Sequence, residues 1–148
     1  MKKILLLALI SLPVFAQDAD KKKVLARIQQ QESHYSAIAQ KIWNFAEVGY
    51  KEKQSSALLQ ETLKQAGFTI ESGVAGIPTA FVATYGQGKP VIGILGEFDA
   101  LPMLSQNGRV PHQDPIVAGA PGHGCGHNTM CTAAAAAAIA VKEAMDRY

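Results

Sequence analysis

Val91-Ile92-Gly93-Ile94-Leu95-Gly96 is the stretch on which the reading of the fold turns. It is apolar on both faces instead of alternating, which is the pattern of a central strand in a covered sheet. Gly86-Gln87-Gly88-Lys89-Pro90 is a turn leading into it, and two shorter β-type runs, Phe68 to Glu71 and Ala80 to Tyr85, come before. Further upstream, Val24, Ile28, Tyr35, Ile38, Ala39, Ile42, Trp43 and Ala46 recur at helical spacing and predict one long amphipathic helix over 20–46, ended by Gly49. A second helix starts around Glu52, with Leu58, Leu59, Leu63 and Ala66 on one face and Gly67 as its stop. Downstream, residues 102–128 hold four prolines and five glycines, and a connection of that length in a compact domain is functional or disordered. The last helix is expected from about Thr129 with Asn128 as N-cap, and Ala133 to Ala138 give it a thin face for close packing. Helices, then strands, then a helix point to a layered α/β domain.

The first residues form a separate unit. Lys2 and Lys3 precede an apolar run from Ile4 to Phe15, and Val14-Phe15-Ala16 supplies the small residues of a cleavage site. Residues 1–16 therefore read as a signal peptide cleaved after Ala16, with residues 17–148 as the exported, periplasmic or secreted domain. A permanent membrane helix wants about 20 apolar residues, so no stable membrane anchor is expected. Without the two leader lysines, the fourteen basic residues fall to twelve, against twelve acidic ones. A near-neutral chain with no cluster of Lys or Arg among aromatics gives no reason to expect nucleic acid as a partner. With Cys125 and Cys131 as the only cysteines, the domain is not a disulfide framework.

The chemistry concentrates in two places. Gly122-His123-Gly124-Cys125-Gly126-His127-Asn128 puts three metal-binding side chains within five residues, separated by glycines. A thiolate and a neutral imidazole, Cys125 and His127, suit zinc or another borderline transition metal, with the remaining ligands coming from elsewhere. His123 is one step out and reads as a loop residue. The bland alternatives are an inert thiol beside a turn histidine, or a Cys125–Cys131 disulfide. The second place is Gly96-Glu97-Phe98-Asp99-Ala100-Leu101-Pro102, at the end of the apolar run where α/β folds build their sites. At i, i+2 spacing Glu97 and Asp99 would share a face, and one could meet a metal or orient a ligand histidine. The competing reading is an ordinary solvated strand end. His34 and His112 read as surface residues.

Five motifs in order carry a resemblance: Trp43-Asn44-Phe45-Ala46-Glu47, Gly76-Ile77-Pro78-Thr79-Ala80-Phe81, Gly86 to Ile92, Gly96 to Pro102 and Gly122 to Asn128. Together they resemble the amidohydrolase branch of the aminoacylase/carboxypeptidase metallopeptidases. That resemblance implies the N-terminal part of a three-layer, zinc-peptidase-like catalytic domain that cleaves amide bonds of small N-acyl amino acids of the aminobenzoyl-glutamate kind. It makes Cys125 and His127 the metal ligands, for a divalent ion with zinc ahead of manganese. Asp99 becomes the catalytic residue that steers the site electrostatically, and Glu97 stands where other branches place a ligand histidine. The implied mechanism is metal-assisted hydrolysis with a glutamate as general base. In the family that glutamate sits in a Glu-Glu pair beyond the alanine helix, after the point where Tyr148 ends this chain. The lid domain through which the full-length relatives dimerise is likewise expected to be absent. Cys131 departs from the pattern, since the family usually has glycine there. Two other readings compete: a non-catalytic remnant binding metal weakly at most, and a thiol-redox module on Cys125 and Cys131, whose spacing lacks the tight Cys-x-x-Cys geometry.

Overall fold

A computed structural model describes residues 15–147. The expected leader, residues 1–16, lies outside the described residues except for Phe15 and Ala16. The elements run α1 (Phe15–Gln30), α2 (Glu32–Phe45), α3 (Lys53–Gln65), β1 (Thr69–Ser72), β2 (Phe81–Thr84) and α4 (His127–Met145). This is a mixed α/β architecture. Among the described residues no helix is long and apolar enough to cross a membrane.

The single long helix expected over 20–46 is two helices, parted at Gln31. Apolar periodicity runs through the break, so the pattern cannot show it; only the core-facing half after it is buried. Ile38 and Ile42 of α2 meet Leu59 and Leu63 of α3 and Cys131 and Ala135 of α4 in one buried cluster. Ile42 is 0% exposed, a burial that stabilises by roughly 1.5–3 kcal/mol. Termination of α2 comes at Ala46, whose left-handed φ of 45° turns the chain out, three residues before the glycine expected to do so.

β1 and β2 pair antiparallel in the register Thr69↔Thr84, Ile70↔Ala83, Glu71↔Val82 and Ser72↔Phe81. Ile70, Ala83 and Phe81 pack on the core while Val82 faces out. Ser56 of α3 donates to Thr79 O at 2.6 Å, and Thr79 donates to the buried carboxylate of Glu52 at 2.6 Å. These bonds fix the hairpin to the start of α3.

The apolar run 91–96 differs from its sequence reading. Its end at Gly96 approaches α4, but it pairs with no strand among the described residues, and Val91 and Leu95 are each 83% exposed. A covered central strand needs neighbours on both edges and layers on both faces; here residues 91–95 are exposed on both faces and only Gly96 is partly buried. Gly96 makes the approach to α4 possible, because a Cβ there would stand 3.1 Å from Ala134 Cβ and 3.2 Å from Cys131 Cα. Beside the run, β2 and the alanine face of α4 enclose an apolar cavity of about 530 Å³.

Candidate metal centre

Glu47, just past the end of α2, begins the construction of the site. Its carboxylate accepts from the Gln54 N–H at 3.0 Å, the Ser55 N–H at 2.9 Å and the Ser55 hydroxyl at 2.9 Å, and so caps α3 from outside. Its own carbonyl accepts the Ala100 N–H at 2.7 Å, within a parallel bridge between Val48 and Ala100. Ala100 is thereby buried, and Glu97 and Asp99 are held at the exit of α2. Burial pushes the Glu47 carboxyl up, but the bonds from Gln54 and Ser55 outweigh it and hold the group below the usual carboxylate range.

From the other side, Leu101 and Gly122 exchange backbone hydrogen bonds of 2.9 and 3.0 Å. The turn that follows is anchored by His123, whose Nε2 stands 3.0 Å from Ile42 O. The ring is buried against Trp43, and burial lowers its pKa although the Ile42 carbonyl opposes this. His123 is therefore not the plain loop residue the sequence suggested but a clamp between turn and α2. Nothing in its neighbours' hydropathy announces that role, because the partner is a backbone carbonyl 81 residues away.

Gly126, with φ 78°, caps α4 in the left-handed conformation that glycine tolerates best. The helix starts at His127, two residues earlier than expected, so Asn128 is not its N-cap. Asn128 is buried instead and donates to Ala39 O at 3.2 Å, pinning α4 to α2.

His127 thus projects from the first position of α4 towards the two carboxylates. Its Nδ1 is 2.8 Å from Asp99 Oδ1 and its Nε2 is 3.1 Å from Glu97 Oε2. One donor atom from each of the three residues lies within 4.8 Å of the others. A neutral imidazole has one N–H and can donate to one carboxylate only. With the proton directed to Asp99, the Nε2 lone pair faces Glu97, and a cation between them satisfies both. The donor set, one imidazole nitrogen and carboxylate oxygens, fits a divalent ion of the zinc or manganese type. A carboxylate on the far nitrogen of a ligand imidazole is the usual means of fixing its tautomer and direction. The structure therefore brings His127 and Asp99 together and adds Glu97, which the resemblance left aside. The i, i+2 spacing of the acids was the signal for it.

Cys125 is an exposed free thiol on the same turn and does not belong to the three-residue group. Cys131 is free and buried on α4, its thiol pushed up to about 11 by burial. The pair forms no disulfide, since α4 turns one inward while the loop turns the other to solvent. His34 and His112 lie apart from the three-residue group.

No protein-family model matches the chain. Over 121 residues, 82% of the chain and 25% of the relative, it is 46% identical to one subunit of the p-aminobenzoyl-glutamate hydrolase of Escherichia coli. Thermostable carboxypeptidase 1 of Saccharolobus solfataricus is 32% identical over 110 residues, 73% of the chain and 27% of that protein. Xaa-Arg dipeptidase of Mus musculus is 26% identical over 137 residues, 85% of the chain and 28% of that protein. The chain spans about a quarter of the length of the curated relatives it matches. With its motifs in order and a Glu97–Asp99–His127 group at their meeting point, the chain belongs to the amidohydrolase family of aminoacylase/carboxypeptidase metallopeptidases, of which it matches the N-terminal portion.

Proposed function

We propose that the chain supplies the N-terminal half of the metal site of an exported amidohydrolase acting on N-acyl amino acids such as p-aminobenzoyl-glutamate. The observation that carries this reading is His127 bracketed by Asp99 and Glu97 on a turn that also holds Cys125. His127 and Cys125 are the proposed ligands for a divalent ion, zinc ahead of manganese, with Glu97 available as a further oxygen donor. Asp99 holds the His127 ring in the tautomer that leaves Nε2 free. When bound, the ion supplies polarisation of the amide carbonyl and acidification of water.

In this reading Asp99, Glu97 and His127 serve the ion and its ligand, and the role of general base is assigned to none of them. These 148 residues alone are therefore proposed to bind metal without turning over substrate. Dimerisation and the export route belong to the same proposal.

A chimera tests it: residues 17–148 joined to the remaining three-quarters of the E. coli relative. Release of p-aminobenzoate by the chimera, its loss in the His127→Ala chimera, and no release by the lone chain are the expected results. A folded chimera that leaves substrate intact, or a lone chain that cleaves it, overturns the reading.

A further inference from the structure

We propose that Leu104 is a positioning residue that sets the pose of the Cys125 turn; this rests on the metal site proposed above. Glycines at 122, 124 and 126 let the turn be narrow, but each costs roughly 0.5–1 kcal/mol more than alanine to order. A turn so composed is held only if something packs on it.

Residues 101–105 provide that. Beyond the Leu101–Gly122 pair, the Ser105 N–H donates to Ala120 O at 2.9 Å, which lays this strand of chain across 120–122. The loop presenting it is internally bonded, with Asn107 Nδ2 donating to Asp114 Oδ2 at 3.0 Å and the Val117 N–H to Ser105 Oγ at 3.1 Å. Leu104 then lies directly on the turn. A Cβ on Gly122 would stand 1.9 Å from Leu104 O, and one on Gly124 would stand 2.6 Å from Leu104 Cδ1. Gly126 differs: its nearest neighbour would be Thr129 Oγ1 at 3.6 Å, and its positive φ is what asks for glycine. Gly124 is thus required by the Leu104 side chain, Gly122 by the backbone at 104–105 and Gly126 by the helix start.

The turn is consequently fixed at three points: His123 on Ile42 O, Gly124 under Leu104, and Gly126 at the head of α4. Cys125 lies between the second and third and is exposed. Loss of the middle contact frees Cys125 while leaving His127, Asp99 and Glu97 where they are.

Cobalt(II) titration of the full chain reads this directly, because a thiolate–cobalt charge-transfer band that is lost in Cys125→Ser reports ligation by Cys125 and not by the other free thiol, Cys131. The wild type is expected to show the band. Leu104→Ala should weaken apparent cobalt affinity about 10-fold, the low end for an outer-shell partner, and dim the band at saturation, with Leu104→Met restoring both. Gly124→Ala, which drives a methyl into Leu104 Cδ1, should reproduce the loss with Leu104 present, and it decides the matter if Leu104→Ala does not fold. A wild-type band undiminished in both Leu104→Ala and Gly124→Ala overturns the role of Leu104 alone. So does a Leu104→Met protein as weak as Leu104→Ala. A wild type without the band overturns the ligand assignment of Cys125, and this inference with it.

Discussion

Replacing Glu47 by alanine removes the acceptor of four hydrogen bonds at once, two from Gln54 and two from Ser55, and the structure assigns them different weights. The Gln54 N–H lies on an exposed residue and can turn to water. Ser55 is 0% exposed, so its N–H and hydroxyl both lose their partner without replacement. A buried polar group left unpaired costs about 1–3 kcal/mol, which puts Glu47→Ala at roughly 3 kcal/mol once local relaxation is allowed for. At about 4 °C per kcal/mol for a domain of this size, the melting temperature should fall by ~12 °C. Glu47→Gln keeps one oxygen acceptor and should lose about a third as much. Acid provides a second reading. The folded-state pKa of Glu47 is depressed, so its stabilisation is complete above the unfolded value near 4.3 and fades as pH falls through the folded value. Thermal melts by far-UV circular dichroism at neutral pH and at about pH 2 should therefore show the wild type and Glu47→Ala converging in acid. A melting point within about 2 °C of wild type at neutral pH, or a gap that persists unchanged in acid, would refute the capping argument.

Other outcomes follow from the same packing. Gly96→Val should destabilise by about 1–3 kcal/mol in chemical denaturation, because its Cβ is driven towards the α4 backbone at Cys131; a neutral result would mean Gly96 does not sit on α4. Thiol titration at pH 8 should give one fast and one protected cysteine, since a thiol of pKa about 11 is only about 0.1% thiolate there. Two equally fast thiols would place Cys131 outside the core. His123→Ala should cost roughly 2–4 kcal/mol by removing both the buried ring and its bond to Ile42 O, measured by urea unfolding, whereas a loss below about 1 kcal/mol would return His123 to the plain loop residue of the sequence reading.

Much of the secondary structure was legible because it rests on local pattern. Leu58, Leu59 and Leu63 marked α3, the two β-type runs marked the hairpin to within a residue or two, and the alanine run marked α4. Illegible features depend on partners distant in sequence. The break at Gln31 leaves helical periodicity intact on both sides. Ala46 takes the left-handed turn in place of Gly49, and Glu47 beyond it bonds both Ser55 and Ala100. For Val91 to Gly96, hydropathy reported a capacity to be covered on two faces, not the presence of covering layers. At the site, spacing within the chain indicated Cys125, His127, Asp99 and the acidic pair. It could not show that Glu97 and Asp99 bracket one ring, that His123 is structural, or that Leu104 packs on Gly124.

In the proposed site His127 and its neighbours hold a divalent ion. Isothermal titration of the metal-free chain with zinc reads this on wild type, Asp99→Asn and His127→Ala. About one zinc per chain is predicted for wild type, with binding abolished in His127→Ala and weakened about 10–100-fold in Asp99→Asn. A wild type that takes up no zinc, or a His127→Ala protein that binds it as well as wild type, would contradict the account.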